Sequence, residues 1–335
     1  MNARICRILL LLLLLPWNMH QTPVTAGLPP DHRMPLPFAK MTLRALPIVA
    51  ATGKFIGVTL PLKRVGRLFL LEGTIDNVVG NFILDTGASG LVLNQTYFRN
   101  AIPVADEEGG GVTGSTSGVS RLHVRSLAIS DLEFKSIAAD VIPLGHLENR
   151  RGVKILGLFG MSQLKDLEMV IDLAGNELQL YTLDRDGNRP HSEPAPIRYD
   201  VTQRIEVYRN VMFVKASIGG KLLDFCLDTG AESNVLNINA GKKVMGAVSI
   251  TRRSGLSGSG QGRGEVLFGT LNEFVIGNRP LAPMETILCD LSDMARKYSF
   301  PIDGMLGYDF FMKGKVYINP VKKELGICLG KEVKQ

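Results

Sequence analysis

The chain has 335 residues, 45% of them hydrophobic and 21% charged, with a formal net charge of +6. That is a two-domain length with enough apolar residues for real cores. Five histidines and four cysteines are scattered without metal-ligand spacing, so neither a metal centre, nor a Cys–His nucleophile, nor any cofactor is expected. The densest basic run, Lys313, Lys315, Lys322 and Lys323, has no aromatic residues interleaved in the manner of a nucleic-acid groove and fits a solvated strand edge.

In chain order, Arg4 and Arg7 precede or flank the start of an unbroken apolar run, Ile8–Leu15, then Pro16 and a polar stretch ending Val24-Thr25-Ala26. The run is shorter than the roughly 20 apolar residues needed to cross a bilayer. Small residues at signal-peptidase spacing make residues 1–26 read as a signal peptide cleaved after Ala26. The mature protein is then expected to be exported, periplasmic or extracellular; an uncleaved signal anchor is the competing reading. No later segment is long and apolar enough to span a membrane. Residues 27–54 are rich in Pro and Leu and fit a linker, a first strand or a pro-segment.

Abundant glycine (36) and a single tryptophan suit many short strands and turns. Strands are predicted at Leu68–Ile75 and Gly80–Asp85, joined through Asp76-Asn77. Equivalent strands follow at Val211–Ile218 and Leu222–Asp228, joined through Gly219-Gly220, a pair suited to a tight hairpin. Between the two sets, residues 184–204 begin with a stretch of Asp, Gly, Asn and Pro and read as an interdomain linker. This divides the mature chain into lobes at 55–183 and 205–335. Of the cysteines outside the signal, Cys226 reads as a core residue, and a Cys289–Cys328 pairing is left open.

Asp-Thr-Gly-Ala occurs twice, at Asp85–Ala88 and Asp228–Ala231, each after an apolar run. Aligning the aspartates places Ile75 on Ile218, Phe82 on Phe225, and Val92-Leu93-Asn94 on Val235-Leu236-Asn237 without a gap. The chain is therefore an internal duplication that supplies one aspartate per half. Later in each half comes a pair of apolar residues and a glycine, Leu158-Phe159-Gly160 and Met305-Leu306-Gly307, followed by Val170-Ile171-Asp172 and Tyr317-Ile318-Asn319.

These motifs, in the same order twice, resemble the retropepsin-like aspartic proteases of the pepsin and retroviral protease superfamily. The likeness spans roughly residues 55–181 and 205–330. It implies an all-β, bilobal acid-protease fold, two homologous barrel-like lobes with one active site between them. Asp85 and Asp228 would be catalytic. Thr86, Gly87 and Ala88, with Thr229, Gly230 and Ala231, would support the active-site loops, the threonines bonding across an approximate twofold axis. Gly160 and Gly307 would pack beneath those loops. The Gly/Ser stretches around Gly114-Ser115 and Gly258-Ser259 resemble substrate-covering flaps by position, although ordinary surface turns fit them too. Alanine at positions 88 and 231, where pepsin has serine, and the absence of a flap tyrosine point to the retroviral-type branch. Copy one departs from the pattern after Gly160, with Met161-Ser162 where copy two has Tyr308-Asp309. Ser89 and Glu232 match just beyond the motif, and Glu232 reads as a solvent-facing charge, with a contact to substrate as the competing reading.

Two adjacent carboxylates cannot both ionise cheaply, so they share a proton and can act as a general base and a general acid. The expectation is an exported aspartic endopeptidase that takes an extended peptide or protein substrate. It would be a monomer whose lobes form an intramolecular pseudo-dimer. A catalytically weak peptide-binding or scaffolding protein of the same fold, and pairing of half-sites between chains, are the alternatives.

Overall fold

The structure, a computed structural model, describes residues 55–103, 108–111, 114–117, 119–190, 197–257, 263–298 and 300–330. The signal-peptide and 27–54 readings lie outside these residues. The two predicted hairpins form with close to the expected bounds. Leu68–Ile75 pairs antiparallel with Val78–Leu84, and Val211–Ile218 with Lys221–Leu227. Both two-residue turns place their residues at positive φ: Asp76 at 43° and Asn77 at 73°, Gly219 at 56° and Gly220 at 75°. That geometry follows the right-handed twist of the flanking strands. Asp76 sits there without glycine's freedom because its carboxylate accepts the Arg125 and Ser126 amides at 3.1 and 3.0 Å.

In each half a later strand inserts between the strand that ends at the aspartate and the strand that follows it. Ile155–Phe159 runs parallel to Val78–Leu84 and antiparallel to Val92–Asn94. Gly304–Leu306 does the same between Lys221–Leu227 and Asn234–Asn237. In the first half the sheet closes on itself, because Thr74 and Ile75 also pair with Ala128 and Leu127 of strand Ser120–Ile129. The barrel interior is filled by side chains such as Phe82, Phe134 and Phe159, all fully buried. In the second half Phe274–Ile276 pairs with Val211–Ile218 and takes the same place.

A six-stranded antiparallel sheet joins the lobes. The first half gives Gly57–Pro61, Glu177–Thr182 and Leu167–Asp172; the second gives Gly314–Asn319, Glu324–Leu329 and Val201–Tyr208. Its centre is the pairing of Leu167–Asp172 with Gly314–Asn319, in which Val170 lies opposite Tyr317. Val170 and Tyr317 are also equivalent residues of the duplication, so the approximate twofold axis passes through this pair. Strand Val201–Tyr208 starts within the 184–204 stretch, and its first residues pair with Glu324–Leu329. Cys226 and Cys289 are buried free thiols and Cys328 a partly buried one, so no Cys289–Cys328 disulfide forms. Among the described residues no helix is long and apolar enough to cross a membrane.

Candidate active site

The two Asp-Thr-Gly-Ala loops leave their strands at the same height. The inserted strands fix them there: the Asp85 amide donates to Phe159 O at 3.1 Å and the Asp228 amide to Leu306 O at 3.0 Å. Each loop then turns back on itself. Ala88 N–H donates to Asp85 Oδ1 at 2.9 Å, and Gly230 N–H to Asp228 Oδ1 at 2.8 Å.

Four hydrogen bonds tie one loop to the other. The Thr86 amide donates to Thr229 Oγ1 at 3.1 Å and the Thr229 amide to Thr86 Oγ1 at 3.0 Å. Each hydroxyl in turn donates across the axis, Thr86 Oγ1 to Leu227 O and Thr229 Oγ1 to Leu84 O, both at 2.8 Å. Both threonines are buried, so these bonds form without competition from water. The clamp brings each glycine against the opposite carboxyl. A Cβ on Gly87 would lie 2.5 Å from Asp228 Cγ, and one on Gly230 would lie 2.7 Å from Asp85 Cγ. Gly160 and Gly307 pack beneath the loops for the same steric reason. A Cβ there would lie 2.2 Å from Gly90 O or 2.6 Å from Ala231 O respectively.

The aspartates themselves are 2% and 0% exposed. Burial raises the Asp85 carboxyl to about 6, against the lowering effect of its hydrogen bond with Asp228 and of the Ala88 and Gly87 amides. Asp228 is pushed well above the ordinary range, first by burial and then by the neighbouring Asp85 charge. With both groups ionised, buried Asp228 Oδ2 meets no N–H or O–H donor. Ala88 and Ala231 are fully buried and contribute no hydroxyl to this arrangement.

Residues that sequence inspection passed over pin the lobes beside the loops. Arg67, next to a glycine in the turn before Leu68, reaches across to Asp309 Oδ2 at 3.1 Å, Glu285 Oε2 at 2.7 Å and Glu232 O at 3.3 Å. Its guanidinium and that of Arg64 lie 5.1 and 5.2 Å from the Tyr308 ring centroid. Asp309 is raised to about 6 by burial, with Arg67 opposing the shift. Glu232 is not solvent-facing: Arg151 of the other lobe holds its carboxylate, and the two side chains are 8% and 21% exposed. By the repeat offset Arg67 corresponds to Asn210, whose side chain donates to Ser89 O at 3.4 Å. The loss of the Tyr-Asp pair after Gly160 thus accompanies the loss of its arginine partner. Only spatial proximity reveals these contacts, although the Tyr308-Asp309 asymmetry was a visible sign of them.

The stretches read as flaps map onto two hairpins. Glu108–Gly111 pairs with Gly114–Ser117, so Gly114 and Ser115 begin the return strand, opposite Gly111 and Gly110, and are not in a loop. Val248–Ser257 pairs with Arg263–Leu271 out to Ser257 opposite Arg263; Gly258 and Ser259 lie outside the described residues. Among the described residues no His/Cys/Asp/Glu group is arranged to hold a metal ion.

Two homologous barrels meeting on paired aspartate loops define a bilobal aspartic-protease fold. A family model described as aspartyl protease matches twice, over residues 71–163 and 214–310. Among solved structures the chain is similar to an aspartic proteinase from Irpex lacteus. That match has a TM-score of 0.50 at 13% identity and covers 83% of this chain and 98% of that one. It is also similar to a retropepsin-like aspartic protease from Rickettsia conorii, with a TM-score of 0.28 at 23% identity over 37% of this chain and 89% of that one. Comparison with curated proteins returns no match. The chain belongs to the aspartyl protease family, each half carrying one copy of its domain. Its activity class is accordingly that of an aspartic-type endopeptidase.

Thr229→Val removes the acceptor of the Thr86 amide and the donor to Leu84 O, leaving two buried backbone groups unpaired. Each such group costs about 1–3 kcal/mol. Urea unfolding should show that loss for Thr229→Val and for Thr86→Val, whereas Thr229→Ser, which keeps the hydroxyl, should stay close to wild type.

Proposed function

We propose that Asp85 and Asp228 form the catalytic dyad of an endopeptidase exported from the cytoplasm. The observation that carries this reading is the reciprocal threonine clamp, which holds two buried carboxyls face to face on the twofold axis. The ionised member of the pair takes a proton from water, and the resulting oxygen nucleophile attacks the peptide carbonyl. The protonated member hydrogen-bonds the carbonyl oxygen and donates its proton as the tetrahedral adduct forms. The carboxyl that took the water proton then passes it to the leaving nitrogen as the C–N bond breaks, a hydroxyl of the adduct returns a proton to the other carboxylate, and the dyad is left with one proton as before. The protein works as a monomer, because a tether between lobes that share a sheet favours the intramolecular partner.

The substrate binds extended, with main-chain hydrogen bonds to the hairpins at the cleft. Support for export is confined to the sequence: the arginines, the apolar run Ile8–Leu15 and the small residues ending at Ala26.

Cleavage of an unfolded protein substrate tests the dyad. Asp85→Asn and Asp228→Asn should each lower kcat by about 10²–10⁴-fold or more; a single variant that retains full activity would sink the shared dyad. Wild-type kcat/KM should rise through an apparent pKa near 6, as the pair loses its first proton, and fall only when the second proton is lost at higher pH.

Both carboxyls have folded-state pKa values above the ordinary 3.8, so their contribution to stability is complete below pH 3.8. It declines as pH rises through about 6. Thermal melts should therefore find Asp228→Asn more stable than wild type at pH 7.5, with the difference shrinking toward pH 4. Equal differences at both pH values would contradict the assignment.

Export is checked by expressing the full chain and sequencing the N-terminus of the released protein. The expected first residue is Gly27, and an intact Met1 in the cytoplasmic fraction would refute export.

A further inference from the structure

Beside the second aspartate loop lies a cavity of about 440 Å³. Glu232 and Ser233 form one wall, directly following Ala231. Thr251 and Arg252 of the strand Val248–Ser257, and Phe268 of the paired strand Arg263–Leu271, form another. Arg67 and Arg150 of the first lobe and Glu285 of the second complete the charged lining. Glu232 is four chain steps from Asp228, so it lies at most about 14 Å away. An extended peptide advances about 3.3 Å per residue. The Glu232 wall of the cavity therefore lies within the span of about four residues of an extended peptide from the aspartates.

The charges of the lining are not balanced. Both carboxylates already have arginine partners: Glu232 is held by Arg151, and Glu285 by Arg67 at 2.7 Å. Arg252 is exposed and rests on the face of Phe268, its opposite residue in the hairpin, with the guanidinium carbon 4.1 Å from the ring centroid. It makes no hydrogen bond or ion pair among the described residues. Stacking fixes the plane of the guanidinium and leaves its edge free to accept a carboxylate in a bidentate fork. At the equivalent place beside the first aspartate loop, Ser89 stands for Glu232 and Asn210 for Arg67.

We infer that this cavity is a specificity pocket for an acidic side chain of the substrate, and that Arg252 is the residue that selects it. The inference rests on the reading of Asp85 and Asp228 as the catalytic pair. Asp or Glu at one position near the scissile bond forms an ion pair with Arg252, whereas Lys or Arg meets like charge. Because the site is open to solvent, the preference weakens as salt rises.

The test uses one cleavable peptide in which each residue within four of the scissile bond is changed in turn to Glu, Gln, Leu or Lys. At one position kcat/KM for Glu should exceed that for Gln by about tenfold in low salt. Arg252→Gln should level the two, and Arg252→Glu should favour Lys over Glu at that position. No position preferring Glu, or a Glu-to-Gln ratio untouched by Arg252→Glu, would overturn the pocket. The dyad is judged separately: cleavage that survives Asp85→Asn overturns the catalytic reading without altering that ratio. Fluorescence anisotropy of the same labelled peptides with Asp85→Asn protein reads the pocket without turnover. There, tighter binding of the Glu peptide that Arg252→Glu abolishes supports the pocket, and equal binding of all four peptides overturns it.

Discussion

Two carboxyl groups taken out of water and placed side by side repel each other and lose their hydration. Left to relax, the loops that carry them would separate or admit solvent. The reciprocal bonds between Thr86 and Thr229 oppose this, because each threonine gives and receives across the axis and neither loop can withdraw without stranding buried backbone groups. What the clamp maintains is an electrostatically costly arrangement, two buried carboxyls that both hold a proton more tightly than ordinary aspartates. The rest of the architecture is a frame for that contact. The inserted strands set the height of the loops, the glycines let them approach, and the six-stranded sheet fixes the lobes on the same axis from below.

The axis itself is marked at two depths. At the clamp Thr86 meets Thr229, and in the shared sheet Val170 meets Tyr317, each residue facing its own counterpart. Self-paired contacts of this kind are what a symmetric dimer interface displays. Here they occur within one chain, and the covalent link has let the halves diverge without losing the contact.

That divergence is concentrated beside the site. Arg67, Tyr308, Asp309 and Glu285 form a charged lock between the lobes on one side of the loops. On the other side Asn210 makes a single hydrogen bond to Ser89 O. A symmetric pair of aspartate loops is thereby set between asymmetric flanks. The partly buried position of Asp309 and its raised carboxyl show that the lock also carries an electrostatic burden of its own.

The amino-acid sequence by itself determined the duplication, the two aspartates, the hairpin strands and the late glycines. These are local patterns, written in apolar runs, turn residues and short motifs that repeat. The closing of the first-half barrel through Thr74 and Ala128 was not legible, nor were the strand start at Val201, the free state of Cys289 and Cys328, or the Arg151–Glu232 pair. Each depends on residues far apart in the chain, and a charged side chain carries no local sign of what it will meet. The same holds for the carboxyls: two copies of Asp-Thr-Gly-Ala announce that a pair exists. Only the tertiary structure decides that the pair is buried and which arginines stand beside it. Desolvation and charge–charge energies depend on distance through space, and the sequence records only distance along the chain.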